Sequence, residues 1–109
     1  VKSKSIKVIR IPVGSDPLVV EVAPSLESLQ ALVGGGYIQI VPIGRDGLEL
    51  VCDEEGKMKG FPLNVSIFGG QDVVAGPAFL MRHDRKGEPA SVTDADIARF
   101  VGKGRVTAL

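Results

Sequence analysis

The stretch GGGYIQIVPIGRDGLELVCDEEGK, Gly34 to Lys57, opens on three consecutive glycines and runs through two apolar bursts into an acidic turn. Tyr37 to Ile43 and Leu48 to Cys52 are rich in β-branched residues and leucine. Between them GRDG supplies Asp46-Gly47, a pair that tolerates the positive φ of a tight turn. The spacing predicts a β-hairpin. In its second strand Leu48, Leu50 and Cys52 share one face, with Glu49 and Val51 on the other. Cys52 is therefore read as a small buried hydrophobe, since no histidine lies nearby in sequence to activate it. A phosphate loop follows a strand and opens a helix, where backbone N–H groups and the helix dipole face the anion. Here the order is reversed, so Gly34, Gly35 and Gly36 are read as a helix end and a turn.

Outward from this hairpin, Ile6–Val13 and Leu18–Val22 flank the turn formers of GSDP and predict a second hairpin. In APSLESLQALV, Leu26, Leu29, Leu32 and Val33 follow helical spacing behind Ser25, a capping residue. After Cys52, DEEGK is another turn, and GFPLN is an irregular segment pinned by Pro62. DVVAGPAFLM (Asp72–Met81) predicts a central strand bent at Gly76-Pro77. RHDRKGEP reads as a polar connector. SVTDADIARFV predicts a terminal helix capped by Thr93, with Asp94 and Asp96 in its first turn and Ile97, Phe100 and Val101 on one face. The expected fold is a small single α+β domain over residues 1–109. It carries a mainly antiparallel sheet of about five strands and two short helices, ordered ββαβββα, with 1–4 and 102–109 frayed.

A chain of 109 residues, 44% apolar and 24% charged, suits one globular domain with a modest core. It contains no apolar run of the roughly 20 residues that a membrane helix requires. VKSKSIKV passes directly into a strand-like segment without an apolar signal core, and a single cysteine cannot form an internal disulfide. A cytoplasmic location is the resulting expectation. Formal net charge is zero, with four bases and no acid in residues 1–13 and eight acids against Arg45 alone in 14–56. Such a balance gives no drive toward nucleic acid or an anionic membrane. Aromatics are too few to interleave with basic residues as single-strand binding requires.

No pattern of nucleophile and base emerges. Asp53, Glu54 and Glu55 fit no calcium loop and are read as a solvated turn. His83, in MRHDRKGE beside Asp84, is read as a surface loop histidine, and Arg82, Arg85 and Lys86 as a solvated basic face. No metal and no cofactor are expected. One small-molecule alternative arises if DEEGKMKGFPLN folds beside GGGYIQ. Tyr37 would stack on a base, Lys57 and Lys59 would supply cations, and Asn64 would offer donors and acceptors. That site would suit nucleotide sequestration or a minor hydrolase. The bland reading makes Gly35, Gly36, Glu54, Glu55, Gly56, Gly60 and Pro62 structural turn residues, with Asn64 bonding nearby backbone.

LVGGGYIQIVPI, LVCDEEGKMKGFPLN and DVVAGPAFLM, followed by SVTDADIARF, resemble a small family of unknown function from bacteriophage and from mobile elements of Gram-positive bacteria. Gly35, Gly36, Tyr37, Val51, Cys52, Glu54, Glu55, Gly56, Lys57, Gly60, Pro62 and Asn64 match its pattern. Gln39, Phe61 and Val65 depart from it. The resemblance implies a non-enzymatic accessory protein of the host cytoplasm that binds and modulates a host or phage protein, and it leaves self-association open.

Overall fold

The computed structural model describes residues 5–44 and 46–109. The expected fraying of 1–4, and the placement of Lys2, Lys4 and Arg45, lie outside the described residues. Strands β1 (Ile6–Ile11) and β2 (Leu18–Val22) form the first hairpin, and helix α1 (Leu26–Leu32) follows. Ser25 Oγ accepts the Ser28 N–H at the start of α1, and Gln30 O accepts the N–H groups of Val33 and Gly35 at its end. Strands β3 (Ile38–Pro42) and β4 (Glu49–Asp53) form the central hairpin.

Residues 63–83 depart from expectation. Leu63–Ile67 is a strand, β5, rather than irregular chain, and Asp72–Met81 is two strands, β6 (Asp72–Ala75) and β7 (Ala78–His83). Gly76, at φ 90°, breaks the run and Pro77 withdraws a ladder donor. The N–H of Gly76 instead reaches Pro62 O at 2.7 Å. β6 pairs with β5 in a separate hairpin, while β7 alone enters the main sheet. The expected polar connector, Arg82–Pro89, is instead part of a fourth hairpin, in which β7 pairs with β8 (Pro89–Ala90). Helix α2 (Asp94–Phe100) follows under its Thr93 cap.

The main antiparallel path is β2-β1-β7-β4-β3, the expected five strands, with β8 added beside β7. Its two faces carry two cores. Ile9, Ile11, Leu50, Cys52 and Leu80 pack against Val65, Ile67 and Val74 of the β5–β6 hairpin and Phe100 of α2. Ile6, Val8, Val51, Phe79 and Met81 pack against Leu29 of α1 and Val33 just beyond its end. Covered on both sides, β4 is buried throughout its length. The tail, expected to fray, is placed along β5, where Ser66 N–H donates to Thr107 O and Leu109 N–H to Ser66 O. No helix among the described residues is long and apolar enough to cross a membrane.

Candidate functional site

The loop after β4 closes on itself through Asp53. Buried at 4% exposure, this carboxylate accepts the Glu55 N–H on Oδ1 and the Lys59 ammonium on Oδ2, each at 2.7 Å. Burial pushes its pKa up, but these two donors more than offset that and hold it below the usual carboxylate value. Gly36 lets the chain pass this pair, since a Cβ there would stand 2.6 Å from Asp53 Oδ2. Gly56 is required by close approach and not by positive φ: a Cβ would collide with Ala75 O. The Phe61 ring fills the space beside Gly34 and Gly76. Gly35 and Gly60 take positive φ, at 93° and 75°. Glu54 and Glu55 face water.

The other residues nominated from sequence are dispersed around this clasp. Tyr37 is 71% exposed, and only its backbone oxygen is engaged, by the Glu54 N–H. Lys57 pairs with Asp72 at 2.6 Å, both exposed. Asn64 donates from Nδ2 to Ile11 O and Gly76 O, at 2.8 and 3.0 Å. Its amide thus ties β1 to the β6–β7 corner and not to the clasp loop itself. A cleft of about 520 Å³ lies between the clasp, β3 and the β5–β6 hairpin. Lys57 lines it; Tyr37, Lys59 and Asn64 do not. Met58 and Phe68 stand exposed on its lining, Phe68 at φ 55°, a left-handed conformation that costs an aromatic residue strain. Cys52 is in the lining too, its thiol pKa pushed up by burial and by Asp53.

A second cavity, of about 410 Å³, opens on the α1 side of the sheet. Its apolar lining includes Leu26 and Leu29 of α1, Ile38 and Ile40 of β3, and Met81 of β7. Leu26, expected on the buried helix face, is 59% exposed. Glu49 also lines the cavity and is 8% exposed. His83 Nδ1 lies 2.9 Å from its Oε2, whereas Oε1 is buried with no hydrogen-bond partner among the described residues. The carboxylate beside His83 is therefore Glu49 and not its sequence neighbour Asp84, which accepts the Lys86 and Glu88 N–H groups and closes the β7–β8 turn.

The sequence reading missed this pair. One signal was present: Glu49 shares a face with Val51 on a strand covered on both sides, where no solvent face exists. His83 belongs to β7 and not to a loop. Arg82 is likewise no free surface base. It clamps Asp96 of α2 through Nε at 2.7 Å and Nη2 at 2.8 Å and also contacts Asp46. That clamp lowers the Asp96 pKa to about 2 against the opposing effect of burial.

Between the two cavities runs β3, an end strand of the main path. The Glu54 N–H to Tyr37 O and Ile43 N–H to Leu48 O bonds fix the alternation. Residues 37, 39, 41 and 43 address β4, so the N–H and C=O of Ile38 and Ile40 point away from the sheet. Ile40 is 46% exposed. Among the described residues, no cluster of three or more His, Cys, Asp or Glu could hold a metal ion.

The sequence model of a family described as "Domain of unknown function (DUF3846)" matches residues 6–104. No curated protein and no solved structure matches the chain.

Proposed function

Given that the chain belongs to the DUF3846 family, whose description names no activity, we propose that it is a non-enzymatic binding module that takes a segment of a partner protein as an added strand on β3. The outward backbone of β3, with a cavity on each face of the strand, carries this reading. A segment laid along Ile38–Pro42 would satisfy the outward N–H and C=O groups. Its alternate side chains would then fall toward the cleft with Met58 and Phe68 on one face and toward the Glu49 cavity on the other. The resemblance of the quoted motifs to phage and mobile-element proteins supports an accessory role in a host cell, with a host or phage protein as partner.

Ile40→Pro tests the reading. Proline removes the outward donor of residue 40 and leaves the β4-facing ladder intact, a substitution that sheet edges tolerate. Wild type should retain a partner from host lysate at physiological salt; Ile40→Pro should lose it and keep a cooperative melt. Leu18→Ala, on the opposite end strand β2, should retain it. Sedimentation in which wild type dimerises and Ile40→Pro is monomeric would make the partner a second copy of the chain. Retention insensitive to Ile40→Pro, or nucleotide turnover by a protein that captures no partner, would overturn the proposal.

A further inference from the structure

The cavity on the α1 side has a chemistry of its own, independent of the strand-addition reading. Among the described residues its polar lining consists of Glu49, His83 and Glu88, with no lysine or arginine. His83 lies against one oxygen of Glu49, and the other, shielded from solvent in a residue more than nine-tenths buried, has no hydrogen-bond partner among the described residues. A buried carboxylate oxygen left without a donor is costly, so a ligand whose donor draws this carboxylate toward the cavity gains more here than at the surface. The missing group is a donor, and the local charge favours a positive one. A bare metal ion would find too few oxygens, as hard cations take about six or more. A volume of about 410 Å³ exceeds what an inorganic cation fills and falls within the roughly 300–1,000 Å³ of organic-ligand sites. Leu26, Leu29, Ile38, Ile40 and Met81 would surround an aliphatic body.

We propose that this cavity binds an organic cation, a protonated amine or a guanidinium on an aliphatic stem, with its head paired to Glu49. The cation can be a free amine or the lysine or arginine side chain of a bound segment. The recognising chemistry is the same in both.

Titration of the 15N-labelled protein with n-hexylammonium chloride, followed by NMR, tests the proposal, with hexanoate and 1-hexanol as comparators. Hexylammonium should shift the amides of Glu49, Met81 and His83, while hexanoate should not. Glu49→Gln should weaken the effect at least tenfold. Should that variant fold poorly, Leu26→Lys provides the second test: Leu26 is exposed at the lining, and a tethered ammonium there should compete with and abolish hexylammonium binding. A capped pentapeptide with central lysine, against its norleucine counterpart, separates the two sources; binding of the lysine peptide without binding of the free amine assigns the cation to a partner side chain. Equal binding of hexanol or hexanoate, undiminished binding by Glu49→Gln, or no binding of either cation would overturn the proposal. Because none of these probes requires the outward backbone of β3, failure here leaves strand addition standing.

Discussion

Strand β4 begins and ends in a buried carboxylate. Glu49 and Asp53 lie four residues apart on one face of the sheet, at 8% and 4% exposure. At Asp53 the chain turns back at once and brings both partners with it, the Glu55 N–H and the Lys59 ammonium. The turn that enters Glu49 spends its polar groups elsewhere: Asp46 accepts the Leu48 N–H and pairs with Arg82. Among the described residues Glu49 is left with His83 beside one oxygen and no partner on the other. A buried charge whose lone pairs are filled by its own loop holds the scaffold together. One with an empty oxygen beside a cavity is where an incoming donor has most to gain.

A third carboxylate sets the upper limit of the comparison. Asp96 receives Arg82 through two donors and the Thr93 N–H through a capping box, which fixes α2 to the sheet. Arg82→Ala would strand this carboxylate and should cost about 3–5 kcal/mol in urea unfolding, the range for breaking a buried pair. A loss below about 1 kcal/mol would mean that water replaces the guanidinium, and the filled carboxylates would lose their standing as scaffold. At Asp53 the isosteric change to Asn keeps the volume but turns one amide donor toward either the Lys59 ammonium or the Glu55 N–H. Asp53→Asn should cost about 2–3 kcal/mol, less than Arg82→Ala because Lys59 remains partly open to water.

Acid provides a test without mutation. The Asp96 pKa of about 2 lies below the ordinary aspartate value of 3.8, so the clamp contributes in full above the unfolded pKa and is lost as pH falls through the folded one. Stability should therefore decline between about pH 4 and pH 2, with Asp96 alone accounting for on the order of 2 kcal/mol. Asp46, Asp53 and Asp72, also lowered, add in the same direction. In Arg82→Ala the decline should be shallower in urea midpoints measured across this range. An unchanged slope would show that the clamp does not set the acid limit.

Much of the scaffold was legible because its signals are local. Ser25 and Thr93 as caps, the Asp46-Gly47 turn and the alternation in β4 depend on residues within a few positions of one another. The clasp glycines were legible as a necessity but not as a mechanism. Gly56 clears the backbone of Ala75, nineteen residues on, and no local pattern encodes that contact. DVVAGPAFLM looked continuous because apolar content does not reveal that Gly76-Pro77 moves the chain between sheets. LNVSI was missed because Leu63 is exposed and two polar residues interrupt so short a strand. The Glu49 cavity was hardest to read: it assembles α1, β3, β4, β7 and the β7–β8 turn, and the His83–Glu49 contact spans 34 positions.

The smallest expected effect is the most informative about Glu49. Glu49→Gln makes the same exchange of carboxylate for amide as Asp53→Asn, on the same face of the same strand. The Gln oxygen can keep its place beside His83 Nδ1, and the amide nitrogen replaces an oxygen that has no partner to lose among the described residues. Removing a buried charge that lacks full compensation relieves desolvation, which offsets the weaker bond to His83. The variant should therefore fall within about 1 kcal/mol of wild type, on the stabilised side or level with it, where most neutral changes lie. Urea midpoints at unchanged m-value would measure the difference. A loss of about 2 kcal/mol or more would place Glu49 level with Asp53, as a carboxylate already satisfied in the resting protein. The two ends of β4 would then no longer differ, and the cavity beside Glu49 would have no unfilled acceptor to offer a cation.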